Sequence, residues 1–264
     1  MLAVLAYRTA AFLAGVLPAR LADALASALA RLAFSARVPA RAVLECNLAR
    51  VLPATAVGAR RDCARAGFET FARAFARFLR APRTPMADIS GRAHLVAARA
   101  DGRGVILLSA HLGDWEQGAE RLAAEGLVVH LAARTHASRT IDRLFAQRRA
   151  AAGVRVLPPG AIYAGAAAAL RRGECVALMA DRGAARSGGA SVCAWAAALA
   201  QRTGAVVLPA VCISGPEGRA VLVVEAPLSP EHCRDGAFRD TMRGWLDRWA
   251  AQWAAFEALP EGVA

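Results

Sequence analysis

Hydrophobic positions along this chain recur with two different periods, and the change of period divides it. Over the first 80 residues the spacing is helical. Leu13, Val16, Leu17, Leu21, Leu25, Leu29 and Leu32 return every three or four residues with Arg between them, which predicts amphipathic helix in or against an apolar surface. Two compatible readings follow, an interfacial membrane helix and a two-helix cap packed on the rest of the protein. Phe68, Phe71, Phe75 and Phe78 step by three, four and three among Arg61, Arg65, Arg73, Arg77 and Arg80. This predicts a second amphipathic helix over 61–80 with its aromatic stripe toward the core, closed by Pro82 and Pro85.

Beyond the prolines, short apolar runs alternate with helical patterns. Val105–Ala110 is a wholly apolar run after Gly102 and Gly104, suited to a buried parallel strand. Helices are expected at 114–125, 138–151 and 161–171, and strands at 127–132, 154–157, 175–180, 206–211 and 220–224. Such alternation predicts an α/β fold, a single domain with a mostly parallel central sheet flanked by helices. An N-terminal helical region, 1–80, belongs to the same unit as the core, 81–264. The tail from Phe238 to Leu259 reads as a final helix with Trp245, Trp249 and Trp253 four apart, a core or docking row or a membrane-interface row.

Composition narrows the classes. With 264 residues, 56% hydrophobic and 20% charged, a disordered chain is excluded. All 33 basic residues are Arg, against 21 acids, giving a net charge of +12. Residues 1–80 hold 12 of those Arg against only Asp23, Glu45, Asp62 and Glu69, so the basic excess lies there. An acidic partner is implied: nucleic acid, anionic lipid or an acidic carrier protein. No helix-turn-helix, RNA-recognition motif or aromatic-interleaved basic loop supports nucleic acid. The six cysteines are scattered with no Cys-x-x-Cys or Cys/His cluster, which speaks against zinc and thioredoxin-like chemistry and for small core residues in a reducing compartment. Among the first 34 residues the longest uncharged stretch, Thr9 to Ala19, falls short of the about 20 residues a spanning helix needs. No signal peptide is expected.

Candidate chemistry begins where the strand over 105–110 ends, in Ser109-Ala-His111-Leu-Gly113-Asp114-Trp115-Glu116. The carboxyl ends of parallel strands are where ligands collect in α/β sheets. A five-residue step does not place two side chains on one helix face, so His111 belongs in the turn and Glu116 in the first helical turn, reaching back. A carboxylate on one imidazole nitrogen fixes the tautomer and leaves the other nitrogen to take a proton from a hydroxyl. The plainer alternative is a His capping a helix beside an ordinary first-turn acid.

This H-x4-E segment after an apolar strand resembles the signature of glycerolipid-type acyltransferases. HLGDWE is similar to the form found in the bacterial lipid A late acyltransferases (lauroyl and myristoyl transferases) and their relatives, the phosphatidylinositol mannoside acyltransferases. The resemblance extends to Asn47-Leu48 with Leu52-Pro53, to Gly102-Arg-Gly104, to Arg149 four before Gly153, and to Leu170 through Gly173. It continues through Met179-Ala-Asp181-Arg182 to the terminal Gln252-Trp253. One departure stands out: Arg186 to Trp195 runs almost directly into Leu199–Ala205, where the family carries a longer segment lining the acyl and acceptor pocket.

The resemblance implies an O-acyltransferase in which His111, held by Glu116, deprotonates a lipid or sugar hydroxyl that attacks an acyl thioester. Arg149, or a backbone N–H near Gly113, would stabilise the oxyanion. Asp181 would border the pocket and orient the acceptor or Arg149, with Arg182, Gly113, Asp114 and Trp115 as further substrate-binding positions. The implied donor is acyl carrier protein or acyl-CoA, and the acceptor a lipid A-type glycolipid. Another membrane lipid is an alternative acceptor, and a non-catalytic lipid- or nucleic-acid-binding protein a remoter alternative function. An anionic membrane surface is the expected setting, on the cytoplasmic face of the inner membrane, with no cofactor or metal and no nucleic acid.

Overall fold

The computed structural model describes residues 2–80, 88–133, 136, 138–181, 191–215, 219–234, 237–257 and 259. Four helices open the chain: α1 (Leu2–Val16), α2 (Ala19–Ser35), α3 (Pro39–Val51) and α4 (Val57–Leu79). Pro18 and Pro39 stand at the starts of α2 and α3, where a missing N–H costs nothing and the fixed φ favours entry into a helix. The core then runs β1 (Asp88–Ser90), α5 (Arg92–Arg99), β2 (Val105–Ser109), α6 (Trp115–Ala124), β3 (Val129–Leu131) and α7 (Arg139–Ala151). It continues with β4 (Val154–Val156), α8 (Ile162–Arg171), β5 (Cys175–Met179), α9 (Val192–Thr203), β6 (Val206–Ser214), β7 (Ala220–Val224), α10 (Pro230–Arg234) and α11 (Ala237–Trp249), closing in a 3₁₀ turn, Ala250–Gln252.

The seven strands order as β1-β7-β6-β2-β5-β3-β4. Every neighbouring pair is parallel except β6 and β7. β2, flanked by β5 and β6, is buried at all five positions, as a strand covered by helices on both faces must be. One face packs Ile106, Leu108, Val176 and Leu178 against α8 and α9. The other packs Val105, Leu107, Leu208 and Val129 beneath α5 and α6.

The expected elements of the core are present, and three features differ. A strand and helix, β1 and α5, occupy 88–99, and helices α9 and α10 fall at 192–203 and 230–234, all absent from the periodic reading. The tail is not one helix to Leu259. It leaves helical geometry after Trp249 because its main chain pairs with the loop after β2: Leu112 bridges Trp253, and Ala254 N–H donates to the His111 carbonyl at 2.8 Å. Trp245 and Trp253 are fully buried, so these two are core residues rather than a membrane belt.

α4 receives this tail. At Gly67 a Cβ would lie 2.5 Å from the Trp253 carbonyl oxygen, so only glycine lets the segment close on the helix. Asn47 on α3 holds it from the other side. Its buried amide donates to the carbonyls of Ala255 (2.8 Å) and Glu257 (2.9 Å) and accepts from Leu259 N–H (3.2 Å). The N-terminal helices and the core are thus joined through residues 252–259.

Candidate active site

Strand register places the central pair. In parallel β2 and β5, Ser109 lies opposite Met179, and His111 and Asp181 each stand two residues past that pair, side by side at the carboxyl edge of the sheet. His111 Nδ1 meets Asp181 Oδ1 at 2.7 Å. Asp181 Oδ2 accepts two further bonds, from the His111 main-chain N–H (2.8 Å) and from the Trp253 indole N–H (3.0 Å). Asp181 is 1% exposed and His111 7%.

Burial pushes the Asp181 carboxyl up, but the adjacent His111 charge and the three hydrogen bonds outweigh it and hold the group below the usual carboxylate range. An ionised carboxylate only accepts, so Nδ1 carries the hydrogen and Nε2 is the nitrogen left for any further proton exchange. Among the described residues none donates to Nε2. The Trp115 ring stands edge-on to the imidazole, centroids 5.0 Å apart.

Glu116 does not hold His111. No hydrogen bond joins them, because the Glu116 side chain leaves the first turn of α6 toward α7 and is gripped there by Arg149. Arg149 Nε donates to Oε2 at 3.1 Å and a terminal nitrogen to Oε1 at 2.5 Å, both side chains being largely buried. The guanidinium also lies over the rings of Phe145 (5.5 Å) and Phe78 (5.8 Å). The expectation that Asp181 orients Arg149 is corrected with it: Asp181 serves His111, and Arg149 serves Glu116.

The turn between them is built by backbone. Gly113 has φ +70°, and a Cβ there would come within 2.0 Å of the Cys212 carbonyl oxygen. Its own N–H donates to the Gln252 carbonyl at 3.0 Å. Asp114 N–H donates to the Cys212 carbonyl at 2.7 Å, while its buried side chain caps α6 by accepting from Gln117 N–H at 3.2 Å. Arg77 of α4 lies 3.7 Å from the same carboxylate and 3.1 Å from Asp23 of α2. Arg182 lies outside the described residues, as do Arg186 and its neighbours up to Ala190.

Three contributors escaped the sequence reading: Trp253, Arg77 and the carbonyl of Cys212. The terminal Gln-Trp pair was the available signal for Trp253, but the four-residue Trp spacing disguised it as part of a helix. Burial pushes the Cys175 thiol up to about 11 and raises Cys212 as well, with Asp114 adding to it, so these thiols act as core. Among the described residues no group of His, Cys, Asp and Glu could hold a metal ion.

An apolar groove of about 440 Å³ opens between α1, α2 and α4. Alanines keep it open, among them Ala26, Ala30, Ala72 and Ala76, and Phe71, Phe75 and Phe256 wall one side. Phe71 also stacks on Trp115, centroids 6.0 Å apart, so two rings separate the groove from His111. The outer faces of α1 and α2 expose Leu5, Phe12, Val16, Leu21 and Leu32, each by more than half. Among the described residues no helix is long and apolar enough to cross a membrane.

Compared with known proteins, residues 2–242 match the family model described as bacterial lipid A biosynthesis acyltransferase. No curated protein matches the chain.

Proposed function

The chain belongs to the bacterial lipid A biosynthesis acyltransferase family, and from that membership we propose that it moves a fatty acyl group from acyl carrier protein to a hydroxyl of a lipid A-type glycolipid. The observation that carries the reading is the His111–Asp181 pair at the carboxyl edge of the sheet, with Nδ1 engaged at 2.7 Å and no donor to Nε2 among the described residues. Nε2 takes the hydroxyl proton as the oxygen attacks the thioester carbonyl carbon. The tetrahedral oxyanion collapses, the C–S bond breaks, and the imidazolium returns its proton to the leaving thiolate. Asp181 stabilises the imidazolium formed between those steps without itself changing protonation.

The main-chain N–H groups of His111, Leu112, Gly113 and Asp114 are already bonded within the protein. Oxyanion donors are therefore sought in the first turn of α6, at Trp115 and Glu116. The groove between α1, α2 and α4 receives the acyl chain, and the exposed leucines outside it seat the protein on the cytoplasmic face of the inner membrane. The Arg excess of the first 80 residues suits anionic head groups and an acidic carrier alike.

The test is a transfer assay with lauroyl-acyl carrier protein and a tetraacylated disaccharide lipid, read by mass spectrometry. One added lauroyl group, absent with His111→Ala, supports the reading. Acylation of a phospholipid or mannolipid instead would move the acceptor to another membrane lipid. A faster reaction from lauroyl-coenzyme A would replace the donor.

A further inference from the structure

The terminal Trp sits against the catalytic pair, and its role goes beyond filling space. Resting on the reading of His111 as the base, we propose that Trp253 is a positioning residue: its indole N–H fixes the Asp181 carboxylate so that Oδ1 meets His111 Nδ1 and Nε2 is left for the acceptor hydroxyl.

A carboxylate held by one bond can swing about its χ2 axis. Asp181 is stopped from doing so by two donors converging on Oδ2, the His111 main-chain N–H at 2.8 Å and the Trp253 indole N–H at 3.0 Å. The indole is itself held from several sides. Ala254 N–H donates to the His111 carbonyl at 2.8 Å, and Gly113 N–H donates to the Gln252 carbonyl at 3.0 Å. The Gln252 side chain pairs both ways with the Ser214 main chain, at 2.8 and 2.9 Å. Trp253 is fully buried, so packing alone would be served by any large apolar ring. Its one polar group is spent on the buried carboxylate that faces His111, the arrangement expected when a donor is needed there.

Among the described residues, Glu116 pairs with Arg149 across α6 and α7 and Asp114 with Arg77 of α4, and His111 is the charge that acts on Asp181. Without the indole N–H one donor on Oδ2 remains, the carboxylate can turn about χ2, and the Oδ1 contact that fixes the hydrogen on Nδ1 loosens. The Nδ1–H and Nε2–H tautomers then mix, and the fraction of His111 with Nε2 ready to take a proton falls.

The test uses the full chain in detergent micelles with ¹⁵N-labelled histidine, His111 being assigned by comparison with His111→Ala. In the Trp253→Phe protein the His111 ring ¹⁵N shifts should move from those of a single Nδ1–H tautomer toward the average of both. The kcat of lauroyl transfer should fall at least about threefold, with KM changed less than twofold. Because removing a buried indole can unfold the chain, a second protein carries β-(3-benzothienyl)alanine at position 253, which keeps the shape and replaces N–H with sulfur. The same mixing is expected there, whereas 5-fluorotryptophan, which retains the donor, should match wild type. A benzothienyl protein that keeps the single Nδ1–H tautomer overturns the proposal. Mixed tautomers with an unchanged kcat uphold the positioning of His111 and instead remove His111 as the base.

Discussion

Arg149 closes on Glu116 through two of its nitrogens, at 3.1 and 2.5 Å, in a largely buried pair that ties the first turn of α6 to the end of α7. The acid of the H-x4-E segment is therefore neutralised by an Arg rather than engaged with His111. Its loss and the loss of Arg149 should be one event. We predict that Glu116→Gln and Arg149→Gln each destabilise the fold, and that the double variant is less unstable than the sum of the two. A double-mutant cycle in urea should give a coupling of about 1–3 kcal/mol. Additive effects would mean that the pair contributes nothing as a pair.

Gly113 admits no side chain. Its φ of +70° and the 2.0 Å approach to the Cys212 carbonyl oxygen mean that Gly113→Ala must displace either the motif loop or β6. The variant should lose acyl transfer and show a lower Tm, whereas Gly102→Ala, also at positive φ but with open space around it, should lose less stability. Equal Tm losses in thermal melts would contradict the close-approach argument.

Asp181 makes stability depend on acid. Its folded-state value is held below that of an ordinary Asp, so the stabilisation is present above the unfolded value, about 3.9, and is lost as pH falls through the lower folded one. The Tm gap between wild type and Asp181→Asn should shrink as pH falls below about 4. A gap that stays constant to pH 3 would show the carboxylate to be unperturbed.

The exposed leucines of α2 give a binding prediction. Leu21→Asn and Leu32→Asn remove apolar surface that is more than half exposed, so the double variant should keep its Tm. It should leave phosphatidylglycerol vesicles in a flotation assay that retains wild type. Retention equal to wild type would assign membrane attachment to another surface.

Much of this architecture was legible because its strands are short, apolar and punctuated by glycine. β2, β5 and β7 fall within a residue of the expected runs. What periodicity could not show was partnership across the sheet. His111 and Asp181 are 70 positions apart, and only the β2–β5 register, with Ser109 facing Met179, brings them together. A nearby acid at Glu116 was the natural candidate on sequence distance, and α7 diverts it. Trp253 was misplaced for a similar reason: its four-residue spacing from Trp249 is helical, but hydrogen bonds from the tail to the His111 loop outweigh that local preference.

The central claim is that Asp181, not Glu116, holds the base. It is tested most directly by single-turnover lauroyl transfer from acyl carrier protein with His111→Ala, Asp181→Asn and Glu116→Gln, each checked for folding by circular dichroism. Loss of a general base costs about 10²–10⁴-fold, and a neutral amide at position 181 forces the wrong His111 tautomer, costing up to about 10⁴-fold in comparable triads. The account predicts Asp181→Asn close to His111→Ala, with Glu116→Gln at least about tenfold more active than either. A folded Asp181→Asn protein with near-normal turnover, beside a Glu116→Gln protein as inactive as His111→Ala, would contradict it.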